Sequence, residues 1–166
     1  FLTLFIIFFS SIGIETEKFN NHIKDKIYQT NNDLNVDLEK IKLTLDPFKL
    51  NINAKTIGTK IFYKKQNLPL EYIKAKISLL SLIKKKIISS NLVISTKAIQ
   101  LKELIALIRS TSNKPELFLL EKSIKRGQVI INLDLNFDGE GKIKEDYQVN
   151  AILKGGQIGL FKIYNF

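Results

Sequence analysis

His22 is the only histidine in the chain, and there is no cysteine. A zinc or thiolate site of the usual His/Cys kind therefore has no ligand set, and disulfides are excluded. His22 lies beside Asn20 and Asn21, where it reads as a solvated helix residue. No Gly-x-Ser-x-Gly elbow accompanies a serine that could pair with it. Asp134, Asp138, Glu140, Glu145 and Asp146 cluster in sequence. Paired carboxylates can do acid–base work, but alternation points Asp134 to a wet strand face, and Asp138 and Glu140 fall in a turn. Asp138-Gly139-Glu140-Gly141 is too short for a helix-loop-helix calcium loop. Gly139, Gly141, Gly155, Gly156 and Gly159 lack the Gly-x-x-x-x-Gly-Lys spacing of a phosphate loop and read as turn residues. The expectation is a protein that is not an enzyme and holds no metal or cofactor.

The net charge is +10, and of 26 basic residues only Arg109 and Arg126 are arginine. A nucleic-acid surface would favour arginine, whose planar fork grips phosphate at two points, so nucleic acid is not expected as a partner. Lysines near anionic lipid gain about 1 kcal/mol each. The densest basic run, Lys84-Lys85-Lys86, reads first as a solvated turn.

The elements around these residues follow from hydropathy. Residues 1–14, FLTLFIIFFSSIGI, carry no charge. A span needs about 20 apolar residues. The run begins without Met and already inside apolar sequence, so it is expected to be the remainder of a membrane helix, and both ends of the chain read as cut. The alternatives are a signal segment, with Ser11-Ile12-Gly13 as a small-x-small site, and a buried helix. Residues 15–31 continue as a juxtamembrane helix with Phe19, Ile23 and Ile27 on one stripe.

A β-rich unit is expected over residues 32–166. Leu34, Val36 and Leu38 alternate with polar residues, and Ile41, Leu43 and Leu45 alternate one step out of phase. That slip predicts a β-bulge at Glu39-Lys40. Asp46-Pro47 turns into Phe48, Leu50, Ile52 and Ala54, giving a hairpin. Strands are also expected near residues 60–63, 72–79 and 87–96. Leu101, Leu104, Ile105 and Ile108 predict a helix. Pro115, at a helix start, predicts a second one carrying Leu117, Leu120 and Ile124, with Gly127 as its exit.

The last third has the clearest pattern. Val129, Ile131, Leu133, Leu135 and Phe137 alternate without interruption, and Tyr147, Val149, Ala151 and Leu153 return. Gly155-Gly156 is expected to turn into a third strand beginning at Ile158 and Leu160. One greasy face and one wet face result. Burying a Leu, Ile or Phe is worth about 1.5–3 kcal/mol, so the greasy face needs a cover: the two helices, or something that is not protein.

The succession of an apolar segment, a helix, LNVDLEKIKLTLDPFKLNINAKTI and LPLEYIKAKISLLSLIKKKIISSNLVIST resembles the N-terminal region of AsmA-like proteins, which include TamB-type relatives. The family's strand, Leu-x-x-Leu-Leu, basic turn and strand find their match in residues 77–94. The resemblance implies an α+β chain: an N-terminal membrane helix, then a mainly antiparallel, curved, groove-like sheet with two or three packed helices. It implies a place at the inner membrane of a Gram-negative bacterium, with the β-rich part in the periplasm. The implied work is phospholipid transport or outer-membrane assembly. The candidate lipid-facing residues are Val129, Ile131, Leu133, Leu135, Phe137, Tyr147, Val149 and Leu153, with phospholipid acyl chains as partner. The alternative is a structural module that binds another envelope protein through its sheet edge.

Overall fold

In the computed structural model, residues 2–64, 66–83, 89–112, 114–140 and 142–159 are described. Lys84-Lys85-Lys86, Gly141, Leu160 and the sequence beyond it lie outside them. The chain runs α1 (Leu2–Ser11), β1 (Ile14–Thr16), α2 (Asn20–Thr30), β2 (Leu34–Asp37), β3 (Lys40–Asp46), β4 (Asn51–Ile57), β5 (Lys60–Tyr63) and β6 (Gln66–Ser78). Then follow α3 (Leu79–Ile83), β7 (Ser89–Thr96), β8 (Ile99–Gln100), α4 (Leu101–Thr111), α5 (Pro115–Ser123), β9 (Ile124–Asn136) and β10 (Gln148–Ile158).

All the strands join one open sheet whose main path is β1-β3-β4-β6-β7-β9-β10, with β2, β5 and β8 attached beside it. Every pairing is antiparallel. Among the described residues the sheet does not close, and β1 and β10 are its edges.

The expected N-terminal membrane helix is not what forms. α1 has ten residues, about 15 Å of helix against a hydrocarbon core of about 30 Å. The chain leaves α1 at Gly13, whose φ of 76° turns it, and Ile14, Glu15 and Thr16 pair with Leu43, Lys42 and Ile41. Among the described residues no helix is long and apolar enough to cross a membrane. Glu15 therefore belongs to a strand, and the helix expected over 15–31 begins only at Asn20. Beside α1 the described residues form four helices, where two or three were expected beside the anchor.

Other boundaries moved for local reasons. The predicted bulge at Glu39-Lys40 is a coordinated break. Asp37 pairs with Lys60 and Lys40 with Ile57, so residues 38–39 and 58–59 interrupt both strands at one level without changing register. Asn20 Nδ2 donates to the freed Leu38 and Glu39 carbonyls at 3.0 and 2.9 Å, and Gly58 takes φ 65°. Hydroxyls serve the backbone where two other ladders stop. Thr56 Oγ1 accepts the Ile73 N–H at 2.9 Å just past the last β4–β6 pair, and Thr96 Oγ1 accepts the Ile131 N–H at 2.9 Å just past the last β7–β9 pair. Such substitution matters because a buried backbone donor without an acceptor is costly.

Ile124 and Gly127, expected at a helix exit, lie inside β9. Gly155-Gly156 is a bulge within β10 and not a turn to a third strand. Lys154 faces Gln128 and Gln157 faces Arg126, leaving two glycines opposite Gly127. A Cβ on Gly127 would meet the Gly156 Cα at 3.1 Å, so glycine is needed where the two backbones approach.

The core sits at one end of the sheet. Among the described residues the buried hydrophobic side chains are Val36, Ile41, Leu70, Ile99, Ile124 and Val129. Leu70 pairs with Thr96, Ile99 with Val129 and Ile41 with Thr56, all at the strand ends remote from the β3–β4 hairpin tip. That tip carries Phe48, 97% exposed.

Candidate functional site

Directly paired residues in an antiparallel sheet share a face, so the registers trace one surface across six strands. Ile14 is opposite Leu43, Leu43 opposite Ala54, Ala54 opposite Ala75, Ala75 opposite Leu92, and Leu92 opposite Leu135. Parallel rows flank it. Ile73, Ile94, Leu133 and Val149 make one, and Leu45, Ile52 and Ile77 another. This is an aliphatic face several strands wide. None of the residues in these rows is buried. Most are half-buried, while Ile14 and Val149 are exposed.

The predicted lipid-facing residues fall at the β9–β10 end of this face. Val129 is opposite Leu153, Ile131 opposite Ala151, and Leu133 opposite Val149. Val129 also pairs with Ile99 and is only 5% exposed, so it belongs to the closed end and offers little surface. Ile131, Leu133 and Leu135 are half-buried. Phe137 makes an isolated bridge to Ile143, and its N–H donates to the Ser90 carbonyl at 3.1 Å. Tyr147, Val149 and Leu153 are exposed.

Alternation in single strands did not reveal the residues from Ile14 to Leu92 as part of the same surface. Those from Leu43 to Leu92 carry the period-2 signal, but the joins β4–β6 and β7–β9 skip intervening elements, and no local pattern encodes them.

The two interstrand helices cover little of the face. α4 meets β8 and β9 at the closed end. There a cavity of about 450 Å³ lies among Leu68, Pro69, Ile99, Leu104 and Leu107, with Glu103 also lining it. Neither α4 nor α5 has a buried residue. Arg109 of α4 holds Glu121 of α5 through Nε and Oε2 at 2.7 Å, which ties the helices to each other.

The polar residues singled out in sequence do not converge. His22 is exposed on α2. Asp134 lies on the opposite sheet face, where its Oδ1 accepts from Asn91 Nδ2 at 2.5 Å. Asp138 Oδ1 accepts the N–H groups of Glu140 and Lys142 at 2.8 and 2.9 Å, which folds its own turn. Among the described residues no group of three or more His, Asp or Glu could hold a metal ion. Compared with protein-family models, curated proteins and solved structures, the chain matches none.

Proposed function

We propose that this chain is a non-enzymatic, lipid-handling segment of an AsmA-like envelope protein, acting in the periplasm at the inner membrane, where its aliphatic sheet face holds phospholipid acyl chains. One observation carries this reading. The row from Ile14 through Leu43, Ala54, Ala75 and Leu92 to Leu135 is continuous over six strands, and none of its members is buried. A contiguous apolar surface of that kind marks an interaction site. Alkyl chains lie along such a surface without needing any hydrogen-bonding group from it. Affinity then comes from area, at about 25 cal/mol per Å², with no single residue in charge.

The test is mass spectrometry of lipid carried through purification of the full chain. Phospholipid should be bound at defined stoichiometry, and Leu133→Asp or Leu135→Asp should remove it while circular dichroism stays unchanged. A folded, lipid-free protein that also fails to take up added phospholipid would sink the proposal.

A second reading rests on β10. All eleven of its residues are exposed, and among the described residues its outer edge has no strand partner. An open edge is a template for strand addition, as in an assembly module that binds another envelope protein. Crosslinking from Ile152 that captures one defined protein, in a sample without lipid, would favour it.

A further inference from the structure

We infer that Lys42, Lys55 and Lys74, on the sheet face opposite the aliphatic rows, form a docking surface for an anionic lipid bilayer. Lys42 stands directly opposite Lys55, and Lys55 directly opposite Lys74. Neighbouring strands are about 4.8 Å apart, so three ammonium groups spring from a row about 10 Å long. Like charges placed directly across strands destabilise a sheet. The Tyr72 ring beside Lys55 and Lys74 offsets part of this repulsion. The row begins at Glu15, opposite Lys42, but the Glu15 carboxylate lies 3.8 Å from Lys40 Nζ. Beyond Lys74 the row continues through Val93 to Asp134, two strands away, whose Oδ1 accepts from Asn91 Nδ2. Among the described residues no ion pair reaches Lys42, Lys55 or Lys74. Lys76 projects from the same face, opposite the neutral Asn53.

The surroundings indicate what this charge meets. Thr44 and Asn53 continue the face with neutral polar groups. Lys55 Nζ and Lys74 Nζ lie 4.9 and 4.5 Å from the centre of the Tyr72 ring. That ring is occupied by two cations and is not free to stack on a base, as single-stranded nucleic acid would require. The array contains no arginine to grip a phosphate at two points. A broad sheet face with several point charges matches a plane of headgroups, where each lysine contributes separately. The lysine row and the aliphatic rows point in opposite directions, so this proposal does not rest on the acyl-chain reading.

The experiment is flotation of the full chain with vesicles of phosphatidylcholine containing about one-third phosphatidylglycerol, against pure phosphatidylcholine. Wild type should bind the anionic vesicles and leave the neutral ones, with binding lost as salt rises. Each Lys→Gln change at 42, 55 or 74 should weaken binding about fivefold, and the triple variant about a hundredfold. Because the changes remove cross-strand repulsion, the triple variant should melt at the same temperature or higher. Changing Lys97, Lys102 and Lys114 to Gln alters net charge equally and should leave binding within about twofold, since those charges lie outside the row. Leu133→Asp should leave vesicle binding intact, and the lysine triple should leave carried lipid intact. Equal losses in the two lysine triples, equal binding to neutral vesicles, or tighter binding to single-stranded RNA than to anionic vesicles would each overturn the inference.

Discussion

Replacing Leu70 and Leu133 by alanine, one at a time, separates core from binding surface. Leu70 is 1% exposed and pairs with Thr96 at the closed end. Removing its side chain forfeits about 1.5–3 kcal/mol of transfer energy and leaves a cavity, for a total of about 2–5 kcal/mol. Leu133 pairs with Ile94 and Val149, and it is half-buried beside an exposed neighbour. Part of its surface already meets water in the lipid-free protein, so its loss should cost less than that of Leu70, about 1–2 kcal/mol. Urea unfolding of delipidated protein measures both, with unchanged slopes required for the comparison. Phospholipid then adds a second readout. A ligand at one hundred times its dissociation constant stabilises the folded state by about 2.7 kcal/mol, which wild type and Leu70→Ala should show and Leu133→Asp should not. If Leu133→Ala costs as much as Leu70→Ala without lipid, the aliphatic face is ordinary core and the reasoning fails.

Thr56→Val keeps the shape and the strand preference but strips the hydroxyl that accepts the Ile73 N–H and the Thr59 hydroxyl. Thr59 is itself buried, so the cost should be about 1–3 kcal/mol, with faster hydrogen exchange at Ile73. Gly13→Ala should destabilise more than Gly58→Ala in thermal melts. Both need positive φ, but the new Cβ at 13 collides with the Leu43 carbonyl oxygen, a backbone atom, whereas at 58 it meets the flexible Glu39 side chain. Equal shifts in the two variants would show that backbone conformation alone sets the cost.

Much of the strand content was legible because alternation is a local signal. The Val129-to-Phe137 row and its return from Tyr147 to Leu153 became β9, β10 and their approaches, and Pro115 opens α5. The misreadings share a cause. Hydropathy alone, applied to residues 1–14, cannot see that Ile14 to Thr16 pair with β3 across 28 intervening positions at the Ile14–Leu43 contact. A three-residue strand has no period to detect. Gly127, Gly155 and Gly156 were read as turns because glycine usually breaks strands, yet here they let two backbones pass closely. The candidate site was half legible for the same reason. The β9 and β10 members lie on a local hairpin, while Leu92, Ala75, Ala54 and Leu43 join them only through long-range pairing.

The placement of the buried side chains at one end has a mechanical consequence. β9 runs from Ile124 and Val129, both buried, to the half-buried Leu135 beside the open face, so a single strand passes from densely to sparsely packed surroundings along its length. Local opening follows packing density. Amide exchange along β9 should therefore quicken from Val129 toward Leu135, while the pairings to β7 and β10 hold the register along the strand.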